Sequence, residues 1–105
     1  MRKIAMADWK VNSRQKKLVN QVLKSGRITY GSKTKELEER FGEIHGAKHA
    51  LFTSSGTAAL KIALHCLKDK YGWNDGDEVI IPSVTFVATM NAVIMNNLKP
   101  VLVDV

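Results

Sequence analysis

The sequence is poor in the residues that announce specialised chemistry. Its 105 residues include one cysteine, Cys66, so no intrachain disulfide can form. Cys66 lies in an apolar run with Leu64 and Leu67. That setting reads as a buried core thiol rather than a catalytic one. No apolar stretch approaches the ~20 residues that a bilayer-crossing helix needs, and the start MRKIAMADWKVNS carries no secretory leader pattern. The expectation is a cytoplasmic protein with no membrane partner. Lys and Arg number 16 against 10 Asp and Glu, a net charge of +6, yet the excess is nowhere concentrated. SRQKK (13–17), SKTK (32–35) and LKDK (67–70) are set apart and interleaved with acids. Without a basic and aromatic platform, a helix-turn-helix signature or an arginine stripe, nucleic acid is not the expected partner. Neither a phosphate loop ending in Gly-Lys-Ser/Thr nor a spaced-glycine dinucleotide fingerprint is present, which disfavours nucleoside triphosphates and dinucleotides. No metal-ligand motif is found either.

What is present is ordinary globular material, 45% hydrophobic and 25% charged. The length suffices for one core and not for a two-domain enzyme. Leu18, Val19, Val22 and Leu23 fall on one face of a helix expected from Ser13 to about Ser25, stopped by Gly26. GRITYGS then reads as an extended connection. A second helix is expected from about Lys33 to His45, with Leu37, Phe41 and Ile44 as its buried stripe, Thr34 as its cap and Gly46 as its stop. Ala50, Leu51 and Phe52 form a short apolar run that fits a buried strand. A helix from Gly56 to about Lys68 follows, apolar on most sides, with Lys61, His65 and Lys68 as its solvent positions. VIIP is a second strand, closed by Pro82. SVTFVATMNAVIMNN is a helix with Ser83 or Thr85 as start candidates, and PVLVDV a third strand. The fold class is therefore α/β, with strand, helix, strand, helix, strand from residue 48 onward and mainly parallel pairing through right-handed crossovers. A parallel sheet needs cover on both faces, and no helix follows the last strand, so the chain reads as the opening section of a larger α/β domain.

Chemistry concentrates at TSSGT, residues 53–57. A helix start carries unpaired N–H groups and the positive end of the helix dipole. Placed after a buried strand, it lies at the carboxyl edge of the sheet, where ligands of open α/β folds bind. Gly56 lets an anion approach the backbone, while Ser54, Ser55 and Thr57 add hydroxyls. The same residues also suit an unliganded cap, and the corner by itself leaves both uses open. A second strand-to-helix corner, PSVTFVATMNA, brings Phe86 to the same edge, where its ring could stack on a flat ligand or pack in the core. Together the two corners favour a planar, phosphorylated cofactor.

These residues carry a family likeness. GRITYGSKTKELEERFGEIHGAKHALFTSSGTAALKIAL, then GDEVIIPSVTFVATMNAV, then KPVLVDV closely resemble the N-terminal part of the DegT/StrS-like nucleotide-sugar aminotransferases, pyridoxal-phosphate enzymes of the aspartate-aminotransferase fold (fold type I). The likeness spans residues 12–105. It implies that residues 1–32 form an N-terminal helix and a substrate-mouth segment, and residues 33–105 the start of the cofactor-binding large domain. It implies further that Gly56 and Thr57, with Ser55 beside them, bind the cofactor phosphate. Phe86 would stack on the pyridine ring, and Tyr30 and Gly31 would lie at the substrate mouth and dimer interface. Ser32 stands where relatives often have proline. The resemblance also implies a homodimer that takes an amino group from glutamate to a nucleotide-linked keto-sugar in polysaccharide biosynthesis. The family's cofactor-holding lysine and its pyridine-nitrogen aspartate fall outside the matched motifs. Lys61, Lys68, Lys99 and Asp104 do not replace them, so this chain carries no catalytic residue and is expected to be inactive alone. Some relatives hold histidine in place of that lysine and dehydrate a deoxysugar instead. A non-catalytic role through association, driven by exposed sheet edges and an uncovered face, is the remaining alternative.

Overall fold

The structure, a computed structural model, describes residues 10–105. The irregular start expected for residues 1–10 falls outside them, Lys10 excepted. The chain divides into two compact units, Met1–Phe52 and Thr53–Val105.

The first unit holds α1, Ser13–Lys24, and α2, Ser32–Ile44. Helix α1 starts with a capping box. The Asn12 carboxamide oxygen accepts from the Gln15 N–H at 2.9 Å, and the Gln15 side chain accepts from the Asn12 N–H at 2.8 Å, which satisfies two orphan donors reciprocally. Gly26 follows the helix at φ +68°, a left-handed position that glycine takes without steric penalty. Helix α2 is not capped by Thr34. Gly31 is its N-cap and supplies no side-chain bond. Gly42 in α2 is required by packing, because a Cβ there would stand 2.9 Å from the Ala47 carbonyl oxygen. The stripe Leu37, Phe41 and Ile44 is exposed rather than buried.

The second unit holds α3, Gly56–Tyr71, β1, Glu78–Pro82, α4, Val87–Ile94, and β2, Lys99–Val103. Strands β1 and β2 pair in parallel, with Glu78 opposite Lys99 and Pro82 opposite Val103. Helix α4 is the crossover between them, and Ala88, Ala92 and Val93 on it are buried. Val93, Ile81 and Leu98 form the core, with Leu64, Trp73, Val79 and Met90 packed around it. The other sheet face is bare, since Ile80 is 70% and Leu102 53% exposed.

Three further expectations are corrected here. Ala50–Phe52 forms no strand. The Phe52 N–H, which a ladder would use, donates instead to the Glu38 carboxylate at 2.8 Å, and Leu51 is exposed. A strand exists only where a neighbour pairs with its backbone, and an apolar run does not supply one. Second, α3 has no buried residue, and Cys66 on it is exposed. Only one side of α3 is packed, against α4. Third, Lys68 is not a solvent position, its side chain being 14% exposed. Its ammonium pairs with Asp75 and donates to the Asn96 carbonyl at 2.8 Å.

Asn96 is buried, and its amide donates to the Lys61 carbonyl at 3.1 Å and the Ala92 carbonyl at 2.8 Å. Cutting it to alanine in N96A leaves the partner carbonyls without their donor, a loss of ~1–3 kcal/mol. The midpoint of urea unfolding should fall with an unchanged slope. An unshifted midpoint would show that Asn96 does not join the two helices.

Candidate functional site

The second unit places both of its helix starts at one sheet edge. The C-terminal ends of α3 and α4 meet through Lys68 and the Asn96 carbonyl, and the Asn97 amide donates to Asp75 in the link before β1 at 3.3 Å. The Gly76 N–H donates to the Asn97 carbonyl at 2.7 Å, and Ser83 N–H to Val103 O at 2.8 Å. The first set of contacts lies where β1 and β2 begin and the last where they end. Because α3 packs against α4 with both C-termini at the strand starts, both N-termini point to the carboxyl ends of the strands. That is the ligand edge of a parallel α/β arrangement.

At that edge Ser55 is the N-cap of α3, in extended conformation. Its hydroxyl oxygen accepts from the Ala58 N–H at 3.1 Å. The Ser55 carbonyl accepts from the Ala59 N–H at 3.0 Å and from the Thr53 hydroxyl at 3.0 Å. The cap therefore serves the third and fourth residues of the helix region and leaves the N–H groups of Gly56 and Thr57 as its free donors among the described residues. Gly56 has no positive φ, and nothing lies within 4 Å of the place a Cβ would take. Its glycine identity is thus demanded neither by backbone strain nor by crowding inside this chain. A Cβ there would meet only open space. The residues fit a phosphate, which takes main-chain N–H donors and close backbone approach at a helix N-terminus. Capping and anion binding are compatible here, because they use different donors.

Phe86 is the N-cap of α4, with no side-chain cap bond, and its ring is 76% exposed. It is not core packing. The start candidates Ser83 and Thr85 do not cap this helix. The Thr85 and Thr89 hydroxyls bond one another at 3.0 Å instead.

Tyr30 and Gly31 belong to the first unit. The Tyr30 ring is largely exposed, but its hydroxyl donates to Glu38 Oε2 at 2.7 Å. That bond to a carboxylate raises the phenol above its ordinary range. The Phe52 N–H and then the Tyr30 hydroxyl hold the Glu38 carboxyl below the usual glutamate range. Glu38 was not singled out from the sequence. It sits eight residues from one partner and fourteen from the other, separations that no local pattern marks. Among the described residues no group of three or more His, Cys, Asp or Glu could hold a metal, and no helix is long and apolar enough to cross a membrane.

Two free N–H donors at a helix start and an exposed aromatic ring stand at the carboxyl edge of a parallel strand pair, in a unit of the α/β class. The DegT/DnrJ/EryC1/StrS aminotransferase family model matches residues 10–105, and the chain belongs to that family. Its α/β arrangement is that of the N-terminal part of the fold type I pyridoxal-phosphate transferases. A protein from Streptococcus pneumoniae described as a sugar aminotransferase, in its PLP form, is 34% identical over 91% of this chain and 24% of its own, with a TM-score of 0.81. The aminotransferase from Psychrobacter cryohalolentis is 31% identical over 94% of this chain and 25% of its own, with a TM-score of 0.84. A GDP-4-keto-6-deoxymannose-3-dehydratase, with a trapped PLP-glutamate geminal diamine, is 28% identical over 98% and 27%, with a TM-score of 0.87. The chain spans about a quarter of the length of these proteins.

Two outcomes test this geometry. Removing the cap hydroxyl in S55A should cost about 1 kcal/mol, read as a lower melting temperature; no change would mean that the Ala58 N–H finds another acceptor. For Glu38, a depressed carboxyl pKa means that its bonds are complete above the ordinary glutamate range and are lost as pH falls through the folded value. The Phe52 amide resonance should titrate with the Glu38 carboxyl, at a midpoint below that range. A midpoint at or above the ordinary value would remove the Glu38 bonds from the account.

Proposed function

We propose that this chain forms the phosphate-cradling section of a pyridoxal-phosphate-dependent sugar aminotransferase, which moves an amino group from glutamate to a nucleotide-linked keto-sugar. The observation that carries this reading is Gly56. It opens a helix, needs no unusual φ, and has empty space where its Cβ would be. The free N–H donors of Gly56 and Thr57 are what a phosphomonoester requires. The pyridoxal-phosphate form of the S. pneumoniae neighbour supports the cofactor. GDP-sugar dehydratases of the same fold, one holding GDP-perosamine and one trapped with glutamate, support the substrate class and the amino donor.

In this reading the N–H groups of Gly56 and Thr57 hold the cofactor phosphate, and the Ser55 hydroxyl keeps the helix start in shape behind them. The Phe86 ring offers a flat apolar face to the pyridine. Tyr30 and Gly31 lie beside the sugar. When bound, the cofactor supplies the electron sink, and the protein supplies orientation and charge. Residues 1–32 serve as the N-terminal helix and substrate mouth, and 33–105 as the start of the cofactor-binding domain. The complete enzyme is a cytoplasmic homodimer in polysaccharide biosynthesis. These 105 residues by themselves transfer no amino group, since none of their lysines stands in the family's cofactor-holding motif.

A second reading is the deoxysugar dehydratase. It is supported by dehydratases of the same fold, 28% identical to this chain. The aminotransferase reading stands first because the S. pneumoniae and Psychrobacter aminotransferases are more alike in sequence, 34% and 31% identical.

Titration of pyridoxal phosphate into the chain should move the Gly56 and Thr57 amide resonances weakly but saturably. G56A adds a methyl group where nothing inside the chain obstructs it, so the fold should be kept while this affinity drops about tenfold, the equivalent of ~1.4 kcal/mol. Borohydride should fix the cofactor to no single lysine. Unmoved Gly56 and Thr57 amides, or equal affinity in G56A, would remove the phosphate assignment. One stoichiometrically modified lysine would overturn the predicted inactivity.

A further inference from the structure

We propose that Glu38 is a positioning residue that fixes Tyr30 as a hydrogen-bond acceptor toward the sugar, so that this part of the site reads a hydroxyl or amino donor. The inference rests on the sugar-enzyme reading above and deepens it.

A tyrosine hydroxyl has one proton to give and lone pairs with which to accept. Tyr30 spends its proton on Glu38 Oε2 at 2.7 Å, a short charge-assisted bond. The other carboxylate oxygen of Glu38 is engaged as well, accepting from the Phe52 N–H at 2.8 Å. Glu38 is therefore pinned from two sides and cannot swing away with the phenol. What remains free at Tyr30 is the oxygen's accepting capacity, on a ring that is 61% exposed. Tyr30 and Glu38 line an open groove of about 700 Å³, in which a sugar hydroxyl or amino group would donate to the phenol oxygen. The raised phenol and the lowered carboxyl agree with this direction of the proton.

The chain has two tyrosines, Tyr30 and Tyr71, so Y71F leaves Tyr30 as the sole phenol. In that background the tyrosinate absorbance should rise at a pH above the ordinary tyrosine range, and adding E38Q should bring the midpoint down. E38D should restore part of the shift, which a merely structural effect of E38Q would not produce. An unchanged midpoint in E38Q overturns the Glu38 role. The sugar contact is read from the Tyr30 ring resonances, with D-fucose as the probe. Fucose should shift them saturably, and E38Q should abolish the response. No response to fucose, or an equal one in E38Q, overturns the acceptor assignment. Y30F, which keeps the Glu38 bond to Phe52, should retain the fold and lose the fucose-dependent shift of the neighbouring Gly31 amide; a shift that persists counts against Tyr30 as the acceptor. The cofactor titration at Gly56 and Thr57 is a separate measurement, so the two assignments fail separately.

Discussion

The geometry of the second unit depends on a single buried amide. Asn96 lies just past α4 and donates to a carbonyl of its own helix and to a carbonyl of α3, while its own carbonyl receives the Lys68 ammonium. A buried carboxamide must find partners or lose roughly 1–3 kcal/mol for each group left bare. Here the partners lie on two helices, so satisfying Asn96 fixes where one helix stands along the other. The Asp75 and Asn97 contacts tie the same end to the link before β1. With their C-termini fastened there, α3 and α4 must aim their N-termini at the opposite edge. The start of α3 and the Phe86 ring occupy that edge because the far end of the unit is fastened.

The site itself is made of what the fold leaves unfilled. Ser55 satisfies part of the α3 start, and the N–H groups of Gly56 and Thr57 are left free. Phe86 leads α4 with no cap and an exposed ring. An orphan donor pair and an aromatic ring in water would elsewhere be defects. In the proposed function both serve a planar, phosphorylated cofactor. The first unit solves a different problem. Its Glu38 holds a phenol by one oxygen and a main-chain N–H by the other, which turns an exposed tyrosine into a fixed one.

Much of the exposed apolar surface belongs to α3, to the stripe of α2 and to the bare face of the β1–β2 pair. Ile80 and Leu102 point away from α4 while Ile81 points into it. Alternation along a strand forces this, because consecutive side chains take opposite faces. A parallel pair rich in Val, Ile and Leu is patterned for cover on both faces, and the crossover helix of the described residues covers one.

By itself the sequence determined where the helices lie, with Gly26, Gly46 and the Asn96–Asn97 pair as stops, although α3 runs past the expected Lys68 to Tyr71. It also determined the parallel pair β1 and β2 and the capped helix start at residues 55–56, because Ser-Ser-Gly-Thr before an apolar helix is a local arrangement that needs no distant partner. The tertiary structure alone decided the rest. Leu51 and Phe52 are apolar enough for a strand, but strand formation needs a neighbour, and Phe52 found Glu38. Cys66 sits in an apolar run, but burial depends on which side of α3 meets α4. Lys68 looked like a solvated charge and became the fastener of two helix ends. The physical reason is the same in each case: hydrogen bonding and burial are settled by groups many residues away in the chain, and no periodicity records where those groups will stand.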